Sequence, residues 1–200
     1  MMTVKKRDTS KKRSSILDAA VKAFVELGYD KTSMDYVAEL ANASKRTVYN
    51  HFPSKELLFD EAFNRFLKEA FEKKNIAYDP ERTIEDQLCD FANIKMTVAD
   101  SPERLGIMRV AMAVFISHPQ MAEQAFLRVT QEEDGFVKWL KAATADGKLK
   151  VEEPEIAAEV FWSMFSGTFF WPAIVHGPIK AGRAEVFKKE FIRTFLARYS

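Results

Sequence analysis

The stretch SKRTVYNHFPSKELLF, which runs from Ser44 to Phe59, decides the fold of this chain. Ser44 belongs to the residue types that cap helix N-termini well, and it precedes a short run that Pro53 brings to an end. Ser54 can then cap a longer helix. The stretch therefore predicts a short helix rich in cationic and polar side chains, followed at once by a longer helix.

Upstream of Ser44, apolar residues recur every three or four positions, which is the spacing of a buried helix face. The first row ends at Gly28, a residue type common just after a helix, and it consists of Ile16, Leu17, Ala20, Phe24 and Leu27. Ser33 can cap a second helix, and Asn42 tolerates the left-handed backbone that would end it. We therefore expect residues 1–55 to form a three-helix domain of the helix-turn-helix type.

The rest of the chain is also predicted to be helical. A fourth helix, strongly amphipathic, should run from Ser54 to about Lys74 and connect the two parts rigidly. Proline at a first helical position, as in Asp79-Pro80-Glu81, marks further starts. These signals predict helices near 80–99, 102–116, 119–145, 154–175 and 183–199. The expected fold is all-α with about nine helices, and residues 56–200 form a second helical domain.

Charge is divided unevenly along the chain. Residues 1–55 hold eleven Lys and Arg against six acidic residues, a net charge of +5, and the remainder carries −4. Such asymmetry predicts a polyanionic partner for the first quarter of the chain.

Several classes of protein are disfavoured. Cys89 is the only cysteine, and neither a metal-ligand spacing nor a catalytic set is recognisable, so we expect no metal, no cofactor and no enzyme. Buried packing is the simplest interpretation of Cys89. No apolar stretch approaches the length of a membrane span, and a cytoplasmic protein is expected.

The short helix after Ser44 has the composition of a major-groove reader. The groove is about 12 Å wide and admits one helix, whose exposed side chains must offer donors to base edges and cations to phosphates. The helix offers Lys45, Arg46, Thr47, Tyr49, Asn50 and His51. Val48 and Phe52 are assigned to the core side. A solvated charged face would explain Lys45 and Arg46 equally well.

The same region resembles the DNA-binding domain of the TetR family of bacterial regulators. The resemblance rests on the following segments, in this order: Ala23-Phe24, Leu27-Gly28-Tyr29, Thr32-Ser33-Met34, Val37-Ala38 and the whole of Ser44 to Phe59. The turn departs from the family, which commonly has Gly-Val where this chain has Asn42-Ala43. The segment from about Pro102 to His176 also faintly resembles the AefR-like C-terminal group.

The resemblance implies roles for individual residues. Lys45, Arg46, Thr47 and Asn50 would face bases or nearby backbone, with Ser44 at the helix start. Phosphates would be held by Thr32, Ser33, Tyr49, His51 and Lys55. The basic clusters Lys5-Lys6-Arg7 and Lys11-Lys12-Arg13 could add non-specific attraction, although a frayed, solvated tail explains them too.

Two apolar sets are assigned in the second domain. A pocket for a small ligand would be lined by Met108, Met112, Phe115, Phe126, Phe136, Trp139, Trp162 and Phe170, although core packing explains any one of them. Residues 154–175 carry two apolar rows, one for the core and one for a two-fold mate. One row consists of Val160, Met164 and Trp171, and the other of Phe161, Phe165 and Phe169. The dimer interface is assigned to Phe161, Phe165, Phe169, Phe187, Phe191 and Phe195.

The sequence and the resemblance together predict a homodimeric repressor. It would bind double-stranded operator DNA and be released by a small apolar or aromatic effector. An activator, a constitutive DNA binder of the same fold and a non-regulatory helical dimer remain alternatives.

Overall fold

A computed structural model describes residues 3–71, 76–96 and 101–200, without the side chains of 3–8, 70–71 and 129–134. This part of the chain forms ten α-helices and no strand, which confirms the all-α prediction. The helices are α1 (Thr3–Leu27), α2 (Met34–Leu40), α3 (Lys45–His51), α4 (Lys55–Phe71), α5 (Ile84–Met96), α6 (Pro102–Ser117), α7 (Pro119–Ala145), α8 (Pro154–Phe165), α9 (Trp171–His176) and α10 (Ala181–Tyr199).

The additional helix arises because the predicted helix 154–175 contains a π-helical turn at Ser166–Phe170. There the backbone N–H of Trp171 donates to the carbonyl of Ser166, five residues back. A helix turns by about 100° per residue, so buried residues spaced four apart drift by about 40° at each step. The π turn takes up one extra residue and corrects this drift, which keeps Phe161, Phe165 and Ala173 on the same buried face.

The predicted start of the fifth helix at Pro80 is wrong. Asp79 instead forms a turn, in which its carboxylate accepts from the backbone N–H of Glu81. The helix begins at Ile84, because the hydroxyl of Thr83 caps it by accepting from the N–H of Asp86 at 3.1 Å. The predicted ends at Lys74 and at residue 99 lie outside the described residues.

The described contacts divide the chain into two compact units. The first comprises Met1–Leu67 with Gly106–Ala125, and the second comprises Lys68–Leu105 with Phe126–Ser200. The domain boundary at residues 55/56 remains a prediction. In the first unit, Phe24 and Phe59 are fully buried and meet edge to face, with their ring centroids 5.4 Å apart. Phe115 of α6 packs edge-on against Phe63 of α4 at 5.2 Å.

The second unit has an aromatic core with a polar residue inside it. Phe136, Trp139 and Phe161 are each at most 1% exposed. Gln87 is fully buried among them, and its Oε1 accepts from the indole Nε1 of Trp139 at 2.9 Å. Its Nε2 donates to the carbonyl of Asp79 at 2.9 Å, so Gln87 ties α5 both to α7 and to the preceding turn.

Cys89 packs against this second core and is half-buried. Burial raises the pKa of its thiol, which is the behaviour of a packing residue rather than a reactive one. Across the described ranges, no helix is long and apolar enough to cross a membrane.

Candidate nucleic-acid interface

The turn between α2 and α3 is closed by Asn42 and by a lysine from α1. Asn42 has the left-handed backbone predicted for it, with φ at 45°. The backbone N–H of Ala43 donates to the carbonyl of Ala38 at 2.9 Å. The ammonium of Lys12 donates to the carbonyls of Ala41 and Asn42, at 3.2 and 2.8 Å. Lys12 therefore satisfies two carbonyls that the end of α2 leaves without helical partners.

Helix α3 is anchored on one side and open on the other. Ser44 caps it by accepting from the N–H of Thr47 at 3.1 Å. Val48 is fully buried and Phe52 is 1% exposed, which confirms their assignment to the core. The exposed side chains are Lys45, Arg46, Tyr49 and Asn50, and those of Thr47 and His51 are half-buried. One face of this short helix thus presents donors and cations together.

Lys45 does not stand alone on that face. Its Nζ lies 2.6 Å from Oδ2 of Asp35, in the first turn of α2. The hydrogen bond to Asp35 raises the pKa of Lys45, so the ammonium stays charged. Sequence reasoning did not single out Asp35, because ten residues of chain separate it from Lys45.

The start of α4 is joined to the turn after α1. The Nζ of Lys55 donates to the carbonyls of Tyr29 and Asp30, at 3.0 and 3.2 Å, and lies 4.4 Å from the centroid of the Tyr29 ring. Two of its three donors thus serve the protein itself, and its phosphate contact remains a prediction. Burial, assisted by the carboxylate of Glu56, raises the pKa of Tyr29 to about 12.

Thr32 is placed differently from the prediction that it holds a phosphate. Its side chain is 2% exposed, and its hydroxyl bonds the carbonyls of Gly28 at 2.7 Å and Ala23 at 3.1 Å. Thr32 therefore closes the turn after α1. The neighbouring Ser33 is exposed and caps α2 by accepting from the N–H of Tyr36 at 3.1 Å.

The second basic cluster is part of the folded first unit, not a frayed tail. Besides the contacts of Lys12, Arg13 pairs with Glu61 at 3.0 Å and lies over the ring of Phe52 at 4.9 Å. The side chains of Lys5, Lys6 and Arg7 lie outside the described residues.

The predicted ligand-binding residues fall in both units. Met108, Met112 and Phe115 belong to the first unit. The second unit brings three others together, with the ring of Phe136 at 5.7 Å from Trp139 and at 5.0 Å from Trp162.

Two predicted pocket residues lie apart from that cluster. Phe126 is 58% exposed, and its place in a ligand pocket remains a prediction. Phe170 is half-buried and packs against Trp171, with the ring centroids 5.0 Å apart.

Most of the predicted dimer residues face the chain's own core. Four phenylalanines from that set are buried in the second unit, namely Phe161, Phe165, Phe169 and Phe195. Phe187 and Phe191 are half-buried against the same core. The assignment of Phe161, Phe165, Phe169 and Phe195 to the dimer interface is therefore wrong, because the chain's own core covers them. For the half-buried Phe187 and Phe191 the assignment remains a prediction.

The opposite side of α8 and α9 carries an exposed apolar row. It consists of Ile156, Val160, Trp171 and Val175, which are between 45% and 69% exposed. Val160 and Trp171 belong to the apolar row that the sequence left for the core. The two rows are thus exchanged relative to the prediction.

Comparison with known proteins agrees with this architecture. Residues 16–62 match the family described as bacterial regulatory proteins, tetR family, and residues 86–200 match the AefR-like transcriptional repressor C-terminal domain. The chain is 30% identical over 173 residues to the uncharacterised HTH-type transcriptional regulator YhgD of Bacillus subtilis, covering 84% of this chain and 87% of that protein.

Solved structures show the same fold. A TetR family transcriptional regulator from Pseudomonas syringae is 30% identical, with a TM-score of 0.77 over 99% of this chain and 98% of that one. The flavonoid-responsive regulator FrrA has the same fold at 24% identity, with a TM-score of 0.79 over 96% of this chain and 98% of that one. The helix-turn-helix geometry and both matched regions lead to one conclusion: the chain belongs to the TetR family of DNA-binding transcriptional regulators.

Proposed function

We propose that the protein is a homodimeric repressor that leaves its operator when a small apolar or aromatic molecule binds. The observation that carries the proposal is the two-sided α3, with Val48 buried and its cationic and polar side chains exposed. In a helix-turn-helix motif the second of the two helices, here α3, enters the major groove. Within the proposed DNA-binding domain, residues 1–55, Arg46 and Asn50 suit contacts to base edges, and Ser33, Tyr49 and Lys55 suit contacts to the backbone.

A dimer is proposed because one such domain covers only half of a two-fold operator. Two reading helices must be about 34–36 Å apart to reach successive major grooves. The exposed apolar row of α8 and α9 is the surface best suited to a second copy, since single exposed apolar side chains are common but four along one side are not. Val186 of α10 is also an exposed apolar residue, at 66%.

A small-molecule effector is supported by the second unit. The indole Nε1 of Trp162 is buried, and no described residue accepts its hydrogen. Leaving a buried donor unpaired costs about 1–3 kcal/mol, which an acceptor on a bound molecule would recover. The surrounding rings of Phe91 and Phe136 would suit an aromatic or apolar body. The solved relative FrrA is itself named flavonoid-responsive, and the matched C-terminal domain is described as that of a repressor.

The route by which an effector acts is proposed to include α6. Its residues in the first unit contact the DNA-binding domain and α4, with Phe115 against Phe59 and Phe63, and Gly106 against Val25. An effector that binds the DNA-incompetent state more tightly shifts the population toward that state. A coupling of about 1–3 kcal/mol would lower operator affinity by about 5- to 150-fold.

A mobility-shift assay tests the proposal. It uses the DNA that flanks the protein's own coding region, at fixed salt, with and without a panel of apolar and aromatic compounds. Sequence-selective binding that one compound abolishes is the expected result. Binding that no compound changes would contradict effector release, and failure to select any duplex would contradict DNA recognition. Sedimentation of the same samples should give a dimer, and Val160→Glu with Trp171→Glu should give monomers.

A further inference from the structure

The ion pair between Lys45 and Asp35 affects how the protein would discriminate between DNA sequences. Lys45 opens α3, and Asp35 lies in the first turn of α2. Their charged atoms are 2.6 Å apart, and the two side chains are 68% and 53% exposed. Both residues line one open groove between α2 and α3. This inference rests on the proposed DNA-binding function.

The phosphates of the DNA backbone act on Lys45 and Asp35 in opposite ways. Phosphates attract the ammonium of Lys45 and repel the carboxylate of Asp35. An exposed ion pair is weak in water, so phosphates can compete for the lysine. When Lys45 turns to a phosphate, however, Asp35 loses its counter-charge while it lies in the negative field of the duplex. Every phosphate contact by Lys45 therefore carries a penalty that does not depend on sequence.

Base edges do not impose that penalty. Guanine offers two acceptors to a lysine in the major groove, and the amino group of cytosine is a donor that a carboxylate can accept. A lysine and a carboxylate held side by side can thus both be satisfied at base edges, whereas a phosphate satisfies only the lysine.

We propose that Asp35 is a specificity-determining residue, which disfavours sequence-independent binding through Lys45. It does so by holding the ammonium in a pair that backbone contacts must break. Asp35 lowers affinity for arbitrary duplex more than affinity for the preferred sequence, so it raises the ratio between the two.

The test uses the full-length protein and two probes, a random-sequence duplex and the sequence that the wild type enriches from a random pool. Binding to each is measured between about 50 and about 200 mM salt, the range over which phosphate contacts change affinity most visibly. Asp35→Asn removes the charge at nearly constant size. Glu39→Gln is the matched control, because it makes the same charge change at an exposed residue that lines the same groove but does not pair with Lys45. Asp35→Glu keeps the charge and should keep the wild-type ratio.

Asp35→Asn is expected to raise affinity for random duplex several-fold at low salt. If Lys45 then gains one phosphate, the slope of log affinity against log salt steepens by about 0.9 per subunit. In a Lys45→Met background the same substitution should have no such effect. Circular dichroism of each variant confirms that the helices are intact.

Three results would overturn the role of Asp35: unchanged random-duplex binding in Asp35→Asn, an equal gain in Glu39→Gln, or a gain that persists without Lys45. If the wild type enriches no sequence at all, the proposed DNA recognition fails and the inference falls with it. If the wild type enriches a sequence but Asp35→Asn binds random duplex as the wild type does, only the role of Asp35 is refuted.

Discussion

The imidazole of His118 meets the phenol ring of Tyr29 edge to face, with the ring centroids 5.6 Å apart. His118 lies between α6 and α7, and Tyr29 lies in the turn after α1. Lys55 contacts the same phenol ring and both carbonyls of that turn. Tyr29 therefore collects contacts from three separate parts of the first unit, and its ionisation should report on whether that unit is intact.

Tyr29 should lose its proton at a higher pH than an ordinary tyrosine. Its pKa is raised from 10.0 to about 12, first by burial and then by Glu56, so the folded protein favours the neutral phenol. The stability due to this preference is complete below pH 10 and is lost as pH rises toward 12. In an absorbance titration of the five tyrosines, Tyr29→Phe should remove amplitude near pH 12. Loss of amplitude near pH 10 instead would contradict the placement of Tyr29.

Gly106→Ala should weaken the packing of α6 on α1. A Cβ at this position would meet Cγ1 of Val25 at 2.8 Å, and a β-branched side chain in a helix has little rotamer freedom with which to move away. Overpacking of this kind costs about 1–3 kcal/mol, and the better helix propensity of alanine offsets at most about 1 kcal/mol. Urea unfolding should show a net loss of stability.

Gly135→Ala is the matched control for Gly106→Ala. Gly135 lies inside α7, and a Cβ there meets nothing within 4 Å. Alanine should therefore stabilise the protein by about 0.5–1 kcal/mol. If both variants shift stability in the same direction, the contact between Gly106 and Val25 is not the cause.

Gln87→Leu should be strongly destabilising. The substitution keeps a similar volume but leaves the indole N–H of Trp139 and the backbone N–H and carbonyl of Asp79 without their partner. The indole N–H is buried, and leaving such a group unpaired costs about 1–3 kcal/mol, so a loss of at least that size is expected in urea unfolding. The exposed neighbour Glu85→Gln should change stability by less than about 0.5 kcal/mol. Equal effects in the two variants would rule out the hydrogen-bond explanation.

Lys12→Met should loosen the turn before α3, because the carbonyls of Ala41 and Asn42 lose their donor. Hydrogen bonds of this kind contribute about 0.5–1.5 kcal/mol each. Thermal unfolding should show a lower midpoint for Lys12→Met than for Lys11→Met, which removes the same charge from an exposed neighbour. Equal midpoints would mean that Lys12 acts only through its charge.

Arg46→Ala should weaken DNA binding, and the pattern of the loss identifies the contact. A lost phosphate contact reduces the salt slope by about 0.9 and weakens all sequences alike. A lost base contact costs about 1–3 kcal/mol at one position of the preferred site and relaxes selectivity there. Unchanged binding to every duplex would remove α3 from the proposed interface.

The local signals in the sequence were sufficient for most of the fold. Asn42, Ser33 and Ser44 each act on the backbone within a few residues, and their turn and caps formed as expected. The helix start predicted from Asp79-Pro80 was wrong because Thr83, three residues beyond Pro80, caps the helix instead. Which of two neighbouring helix starts is used depends on how the helix packs. The local sequence does not show that packing.

The long-range parts of the candidate site could not be predicted in this way. Lys12 reaches carbonyls about thirty residues away, and Asp35 reaches Lys45 across a turn. The assignment of the two apolar rows of α8 failed for a related reason, since both rows have helical spacing. The positions of α7 and α10 decide that Phe161 and Phe165 face inward.

The π turn at Ser166–Phe170 makes segment length as important here as residue type. Removal of one residue from it would leave an ordinary α-helix with the same register beyond, because the π turn holds one residue more than an α-helix needs. Removal of two residues would rotate everything beyond by about 100°. Ala173 would leave the core, and Trp171 and Val175 would turn away from the row that begins at Ile156. Among natural variants of this protein, deletions of two residues between residues 166 and 170 should therefore be rarer than deletions of one.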